Sequence, residues 1–417
     1  MRFLYSSGVL LYVLAIRLSA VIGNRKAKLW IKGRKNILKN YNSLFQNEKA
    51  KSFIWFHVSS LGEFEQGRPL MEKIKQTYPE KKLLLTFFSP SGFELRKNYE
   101  YADVVMYLPP DYLKTMQKLV TLIKPCFIVF VKYDFWFNLI KACRDSSVPV
   151  YFVSSAFRPQ QYFFKWWSTW FRNQLKTVSM FFVQTQESVE LLKSHKIDNV
   201  TFAGDTRLDR VIEIKNEKTE FPQIETFANG RTVIIAGSSW PADEQILLHF
   251  ANQHKDIALI IAPHDVSEER ISHIEHLFNN KTVRLSSLST PNKNNPQVLI
   301  IDNIGVLSKI YRYCHFAYIG NGFGKGIHNI LECVVYGKPV VFGPNYRSFT
   351  EATELIKHKG AFSISNTSEF QNIAETLIYN TQIYQRASEA CLHYVEQNKG
   401  ASSIIINYFS TQQIDSV

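Results

Sequence analysis

The stretch Tyr318-Ile319-Gly320-Asn321-Gly322-Phe323-Gly324-Lys325-Gly326-Ile327-His328-Asn329-Ile330-Leu331-Glu332 decides how the fold is read. An apolar, strand-like run ends at Gly320, glycines recur at Gly322, Gly324 and Gly326, and the pattern predicts a helix from His328 to Tyr336. Glycine admits close backbone approach to a phosphate, and a helix start presents free N–H groups and a positive dipole end. In such a helix Glu332 stands one turn after His328, on the same face, where a carboxylate can accept hydrogen bonds from ribose hydroxyls. The spacing is neither the Walker A pattern nor a clean GxGxxG fingerprint. A flexible turn backed by a core helix is the plainer alternative. With Asn329 and Glu332 at this spacing, the preferred reading is a nucleotide-sugar site.

On both sides of this stretch, short apolar runs alternate with longer amphipathic ones. Thr232–Ala236, Ile257–Ala262, Val298–Ile301, Phe316–Ile319, Pro339–Phe342 and Ala361–Ser363 read as buried strands. Asp243–Gln253, Ser267–Phe278, His328–Tyr336 and Phe349–Lys357 read as helices between them. The first half repeats the theme with strands at Phe53–Val58, Lys82–Phe88, Val104–Leu108, Phe127–Val131, Val150–Val153 and Met180–Val183, and helices such as Gly67–Tyr78 and Tyr112–Ile123. Such alternation predicts an α/β chain with doubly wound parallel sheets. The polar stretch Glu213–Gln223 reads as a linker and Lys281–Gln297 as an exposed loop. The expected division is an anchor over 1–40, a Rossmann-like domain over 41–212, a linker over 213–230 and a second Rossmann-like domain over 231–417. Two such domains around one linker are expected to face a cleft, with ligands at the carboxyl ends of the strands.

Three further segments fall at strand ends. Gly237-Ser238-Ser239-Trp240-Pro241-Ala242-Asp243-Glu244 combines small hydroxyl residues that can reach a phosphate or ribose with a helix start, Pro241 lying early in the first turn beside two favourable acids. His264, after Pro263, is either structural or a contact to base, ribose or phosphate. His57-Val58-Ser59-Ser60-Leu61-Gly62-Glu63 leads from a strand into a turn, and Glu63 then stands at a helix start. There it can take a proton from an attacking hydroxyl, or simply stabilise the helix end. Neither a DxD-type pair nor a His/Cys/Asp cluster with ligand spacing stands in a convincing place, so no catalytic metal is expected. No Ser-His-Asp arrangement is supported either.

The 417 residues are enough for two cores. The formal charge is +13, but residues 1–40 hold nine Lys or Arg and no acid, so +9 is local and +4 is spread over the remaining 377. This basic zone follows an apolar run from Phe3 to Gly23 broken by Arg17. A spanning helix needs about 20 apolar residues, so the run is borderline for crossing. A signal peptide competes, but no small-residue cleavage pattern precedes a mature start. A helix lying on the bilayer, with Arg25–Lys39 on anionic headgroups, fits better and argues against a nucleic-acid partner. The five cysteines form no CxxC pair and read as buried and reduced.

In this order the segments resemble the Kdo (3-deoxy-D-manno-octulosonic acid) transferases over nearly the whole chain. His57–Glu63 is close to the family's H-x-x-S-x-G-E. Thr86–Gly92 and Tyr107–Asp111 are similar to its T-x-T-x-T-G and Y-x-P-x-D. Gly204–Asp209 resembles G-N-x-K-F-D, Gly237–Glu244 resembles G-S-T-W-x-x-E-E, and Gly326–Glu332 resembles G-G-H-N-x-L-E. The resemblance implies a GT-B type fold and an inverting glycosyltransferase moving Kdo from CMP-Kdo to a phosphorylated lipid A precursor in lipopolysaccharide biosynthesis. It implies work at the cytoplasmic face of the inner membrane, without a metal or a cofactor other than the donor substrate. It makes Glu63 the general base and places Gly237, Ser238, His264, Asn329 and Glu332 at the CMP part, while the glycine stretch adds Gly324, Lys325 and Gly326 as substrate-binding candidates. Two departures stand out. The family's E-T-E-L-W-P-N is here Lys132-Tyr133-Asp134-Phe135-Trp136-Phe137-Asn138, where Asp134 can replace the second acid but Lys132 reverses the charge of the first. The family's P-R-H is Pro263-His264 without the arginine, an anion contact that Lys325 or Arg207 could supply. The alternatives are another GT-B enzyme, such as a UDP-sugar transferase or epimerase, or a non-catalytic membrane-bound sugar-nucleotide binding protein.

Overall fold

The computed structural model describes the chain apart from Lys51, Lys218, Asn280 and residues 289–295 and 413–417. The chain divides into two compact units, Met1–Asp209 with Asn398–Val417, and Arg210–Gln397.

The first unit is built on seven strands, β1 (Phe53–Val58), β2 (Lys82–Phe87), β3 (Val104–Tyr107), β4 (Phe127–Val131), β5 (Val150–Ser155), β6 (Met180–Val183) and β7 (Val200–Phe202). They are all parallel, in the order β3-β2-β1-β4-β5-β6-β7. β1 and β4 are buried along their whole length, which is why both read as unbroken apolar runs rather than alternating ones. The order reverses between β1 and β4, so a crevice opens at their carboxyl ends.

Three helices precede β1: α1 (Arg2–Val21), α2 (Arg25–Gly33) and α3 (Ile37–Phe45). Among the described residues only α1 is long and apolar enough to cross a membrane, with a mean hydropathy of 1.7. One face of α1 is nevertheless docked. Val13 packs against Trp30 and Phe88, and the Tyr5 hydroxyl donates to Asp111 Oδ2 at 2.7 Å. The opposite face leaves Phe3, Leu4, Leu10, Leu11, Leu14 and Leu18 exposed. The basic zone is also divided. Arg25, Lys26, Lys28, Lys32, Lys35 and Lys39 are exposed, but Arg34 is buried. Its guanidinium donates to the carbonyls of Leu108 (2.9 Å) and Phe88 (2.7 Å) and lies over the Trp30 ring. Arg34 therefore ties α2 to the sheet and cannot meet a headgroup, which corrects its expected role.

The second unit carries β8 (Val233–Ser239), β9 (Ala258–Pro263), β10 (Thr282–Arg284), β11 (Val298–Ile300), β12 (Phe316–Ile319), β13 (Val340–Phe342) and β14 (Ala361–Ser363). These too are all parallel, ordered β10-β11-β9-β8-β12-β13-β14, with the reversal between β8 and β12.

Four expectations change. The helix Ala401–Thr411 packs Ile405, Ile406 and Phe409 into the first unit's core, and Asp209 accepts hydrogen bonds from the N–H groups of Gly400 and Ser402, both at 2.7 Å. The tail read as part of 231–417 thus belongs to the first unit. The linker is shorter than Glu213–Gln223, because helices Thr206–Asn216 and Pro222–Ala228 occupy both its ends. Within Lys281–Gln297, Thr282–Arg284 forms edge strand β10, while 289–295 lie outside the described residues. The helix expected over His328–Tyr336 is one turn, Leu331–Val334, so His328 precedes it and does not share a helix face with Glu332.

Candidate active site

At the reversal point of the first sheet, β1 runs into Ser59 and Ser60 and then into helix α4 (Leu61–Thr77). Ser60 caps α4, and Glu63 folds back to accept from the backbone N–H groups of Ser59 (2.5 Å) and Ser60 (2.9 Å). This is a capping box, so the helix-end role of Glu63 is real. It also fixes the carboxylate at the crevice. β4 ends across the reversal point in Lys132-Tyr133-Asp134. The Ser59 hydroxyl donates to Asp134 Oδ2 at 2.5 Å, and His57 Nε2 lies 2.9 Å from the same oxygen, off the line of a well-aligned hydrogen bond. His57 Nδ1 is 2.9 Å from the Thr86 hydroxyl, which also accepts from Trp55 Nε1 at 2.8 Å. The chain is thus Trp55, Thr86, His57, Asp134, Ser59, ending on the backbone that holds Glu63.

Burial, and then the nearby Asp134 carboxylate, push Glu63 from its ordinary 4.5 up to about 7. The two N–H groups and Lys132 act in the opposite direction. A carboxylate tuned to neutrality and aimed into a crevice is what a general base at physiological pH requires. Lys132 has a left-handed backbone (φ 63°), held by its N–H to Val153 O at 2.9 Å and by the Ser155 hydroxyl on its own carbonyl at 2.6 Å. The reversed charge at this position therefore favours the ionised form of Glu63.

At the reversal point of the second sheet the glycine stretch is held rather than flexible. Asp243, the third residue of helix Pro241–Gln253, is fully buried. It accepts from Asn321 N–H (2.9 Å), Trp240 N–H (2.9 Å) and the Tyr318 hydroxyl (2.7 Å). Asn345 closes the loop by donating its N–H to Gly322 O at 2.9 Å and its amide to Gly324 O at 2.8 Å. A Cβ at Gly320 would lie 2.2 Å from Ser238 O, so the loop can approach β8 only as glycine. Gly326 adopts φ +134°, which side chains rarely reach.

Three rings stack over the carboxyl ends of β8, β9 and β12: Trp240 on His264 (centroids 5.1 Å apart) and His264 on His328 (4.6 Å). Burial first, and His264 second, lower His328 to about 4, so it is neutral at pH 7. Trp240 Nε1 donates to His328 Nε2 at 3.3 Å, which leaves the His328 proton on Nδ1. Glu332 accepts from the Asn329 amide at 3.1 Å, and Asn329 Oδ1 in turn accepts from Leu331 N–H at 3.2 Å. The row of rings offers a flat face to a base, and the Asn329–Glu332 pair offers polar groups beside it.

Other expected residues take the following places. Ser238 is half-buried in a left-handed conformation (φ 52°) at the end of β8. Gly237 makes room for Tyr311, whose hydroxyl would sit 1.8 Å from a Cβ there. Lys325 and Gly324 are exposed at the loop tip. Arg207 lies in the first unit, bound to Asp205 at 2.6 Å. Sequence reasoning missed the part played by His57 and Thr86, the pinning role of Asp243 and the Trp240–His264–His328 stack. The signals are present in the sequence, since His57 opens the segment that ends at Glu63 and Asp243 follows Pro241 at a helix start.

A family model described as 3-deoxy-D-manno-octulosonic-acid transferase (kdotransferase) matches residues 33–210. The chain is 26% identical over 345 residues to the 3-deoxy-D-manno-octulosonic acid transferase of Aquifex aeolicus, covering 80% of this chain and 88% of that one. It is 23% identical over 370 residues to the Haemophilus influenzae enzyme of the same name, covering 84% of each. Over these residues the chain is similar to the Kdo transferases, a group of glycosyltransferases. A bifunctional glycosyltransferase/methyltransferase of Fusobacterium nucleatum is 27% identical over 358 residues, and this Kdo transferase homologue covers 82% of itself but only 55% of that longer protein. Among solved structures, UDP-GlcNAc 2-epimerase from Neisseria meningitidis aligns with a TM-score of 0.60 at 14% identity, over 86% of this chain and 100% of that one. That likeness speaks to the fold, two α/β units of GT-B type.

Proposed function

We propose that this Kdo transferase homologue moves Kdo from CMP-Kdo to a phosphorylated lipid A precursor, with inversion, while resting on the cytoplasmic face of the inner membrane. The observation that carries the reading is Glu63, fixed by two backbone N–H groups at the reversal point of the first sheet and pushed up to about 7. Glu63 takes the proton of an acceptor hydroxyl as that oxygen attacks the anomeric carbon from the side opposite CMP. Asp134, through Ser59, holds the backbone on which Glu63 is anchored. In the second unit the base of CMP lies against the Trp240–His264–His328 rings, and Glu332 accepts from ribose hydroxyls. Lys325, at the tip of the Gly322–Gly326 loop, offsets the charge that develops on the leaving phosphate, an electrostatic role. The exposed face of α1 and the exposed lysines of α2 supply apolar and cationic contacts to an anionic bilayer.

The test is mass analysis of the product from purified protein, CMP-Kdo and a lipid A precursor. Addition of one or more Kdo residues supports the reading, and an unchanged acceptor rejects it. Calorimetry with CMP and with UDP separates this reading from a UDP-sugar enzyme on the same fold.

A further inference from the structure

A groove of about 430 Å³ in the first unit runs from α1 to the carboxylates. It is lined by Gly8, Tyr12 and Val13 of α1, by Phe88 and Trp136, and at one end by Asp134. Its walls are mainly apolar, with Asp111 and the hydroxyls of Tyr5, Tyr133 and Tyr162 adding polar groups, and it reaches Asp134, the acid that takes the Ser59 hydroxyl beside Glu63. Its outer side is α1, whose far face already exposes Leu4, Leu11 and Leu18. Tyr162, also in the lining, starts a segment that passes through exposed Trp166 and Trp167 to Trp170, whose ring is 6.2 Å from Tyr5. Tryptophan and tyrosine at the edge of an apolar surface favour the boundary between water and lipid.

Gly8 is the informative residue. Glycine inside a helix costs stability. Here a Cβ would meet nothing within 4 Å, so neither packing nor backbone conformation demands glycine. Gly8 lines the groove, so a large side chain at this position would project into open space beside it.

We propose that this groove is an acyl-chain subsite, holding one hydrocarbon chain of the lipid acceptor so that the attached sugar reaches Asp134 and Glu63. The volume is that of an ordinary small-molecule site. A ligand with an apolar tail and a hydroxylated head matches a mainly apolar groove that also carries carboxylates. The proposal rests on the transfer reading above for the identity of the lipid.

Gly8→Phe fills the groove without removing any contact. With the full chain in phospholipid vesicles, two acceptors are compared: the acylated lipid A precursor and the same phosphorylated disaccharide stripped of its acyl chains. Gly8→Phe should raise KM for the acylated acceptor about tenfold or more, the loss that about two unburied methylenes produce. Its turnover of the stripped acceptor, its melting temperature and its sedimentation with vesicles should match the parent. An unchanged KM for the acylated acceptor overturns the subsite. If the parent transfers to neither acceptor, the transfer reading has failed instead, and the groove is judged by calorimetric titration with dodecanoate. Binding lost in Gly8→Phe then supports a chain site, and equal or absent binding in the parent overturns it.

Discussion

At the reversal point of the first sheet two carboxylates crowd one serine, and Glu63 is left titrating near neutrality. At the reversal point of the second sheet the acids are turned inward. Asp243 accepts three hydrogen bonds, and Glu244 is bound to Ser239 and Arg270. What remains at the second sheet's strand ends is three stacked rings, with His328 neutral at pH 7, and a glycine loop tipped by Lys325. The same doubly wound topology therefore carries an acid held near neutrality in one unit and, in the other, acids turned inward behind a row of rings. The proposed transfer uses the first for proton transfer and the second for nucleotide binding, because a binding surface that titrated at pH 7 would lose ligand with small changes in acidity.

The largest effect should come from Glu63→Gln. It keeps shape and one acceptor oxygen for the cap but cannot take a proton, so transfer should fall about 10²–10⁴-fold with CMP affinity unchanged. The same variant tests the electrostatics. Because the folded-state pKa of Glu63 is raised, its contribution to stability is whole below its ordinary 4.5 and is lost as pH rises through about 7. Glu63→Gln should therefore melt higher than the parent at pH 8 and no higher at pH 5. A lower melting point at pH 8 with a normal rate would make Glu63 a helix cap only, and the contrast between the units would collapse.

Glu332→Ala should weaken CMP binding about 10- to 100-fold, the value of a lost charge-assisted hydrogen bond, and should leave the pH profile of transfer in place. Calorimetry giving parent affinity in the folded variant would remove Glu332 from the nucleotide site. For the parent enzyme at saturating substrates, kcat should fall on the acid side of about 7, by about tenfold per pH unit, as Glu63 is protonated. A flat profile from pH 5.5 to 8 would detach the rate from Glu63. The smallest expected change is in Asp134→Asn. Removing the neighbouring negative charge lowers the Glu63 pKa, so the acid limb should move to lower pH by less than about one unit. Movement to higher pH would show that Asp134 does not act on Glu63 as a like charge.

Much of this was legible in one dimension. Parallel strands buried on both faces must be continuous apolar runs, so β1, β4, β8 and β12 stood out, and with them the strand ends where Glu63, Ser238 and the glycine loop fall. Edge strands β7 and β10 did not, because they are only partly buried and Thr201, Thr282 and Arg284 break the apolar run. The hydrophobic and basic start of the chain was equally plain, as was the acid three residues after Ser60. Other features depend on which distant residues meet. Arg34 is spent on carbonyls at 88 and 108, Ala401–Thr411 caps on Asp209, Asp243 pins a loop 78 residues away, and α1 docks through Tyr5 on Asp111. Burial and partner set the part each of these groups plays, and neither is a property of local sequence. The sequence by itself determined the doubly wound fold and the residue types at its strand ends. The tertiary structure alone decided which acid is held near neutrality, because desolvation and the neighbouring Asp134 act on Glu63 only once β1 and β4 lie side by side.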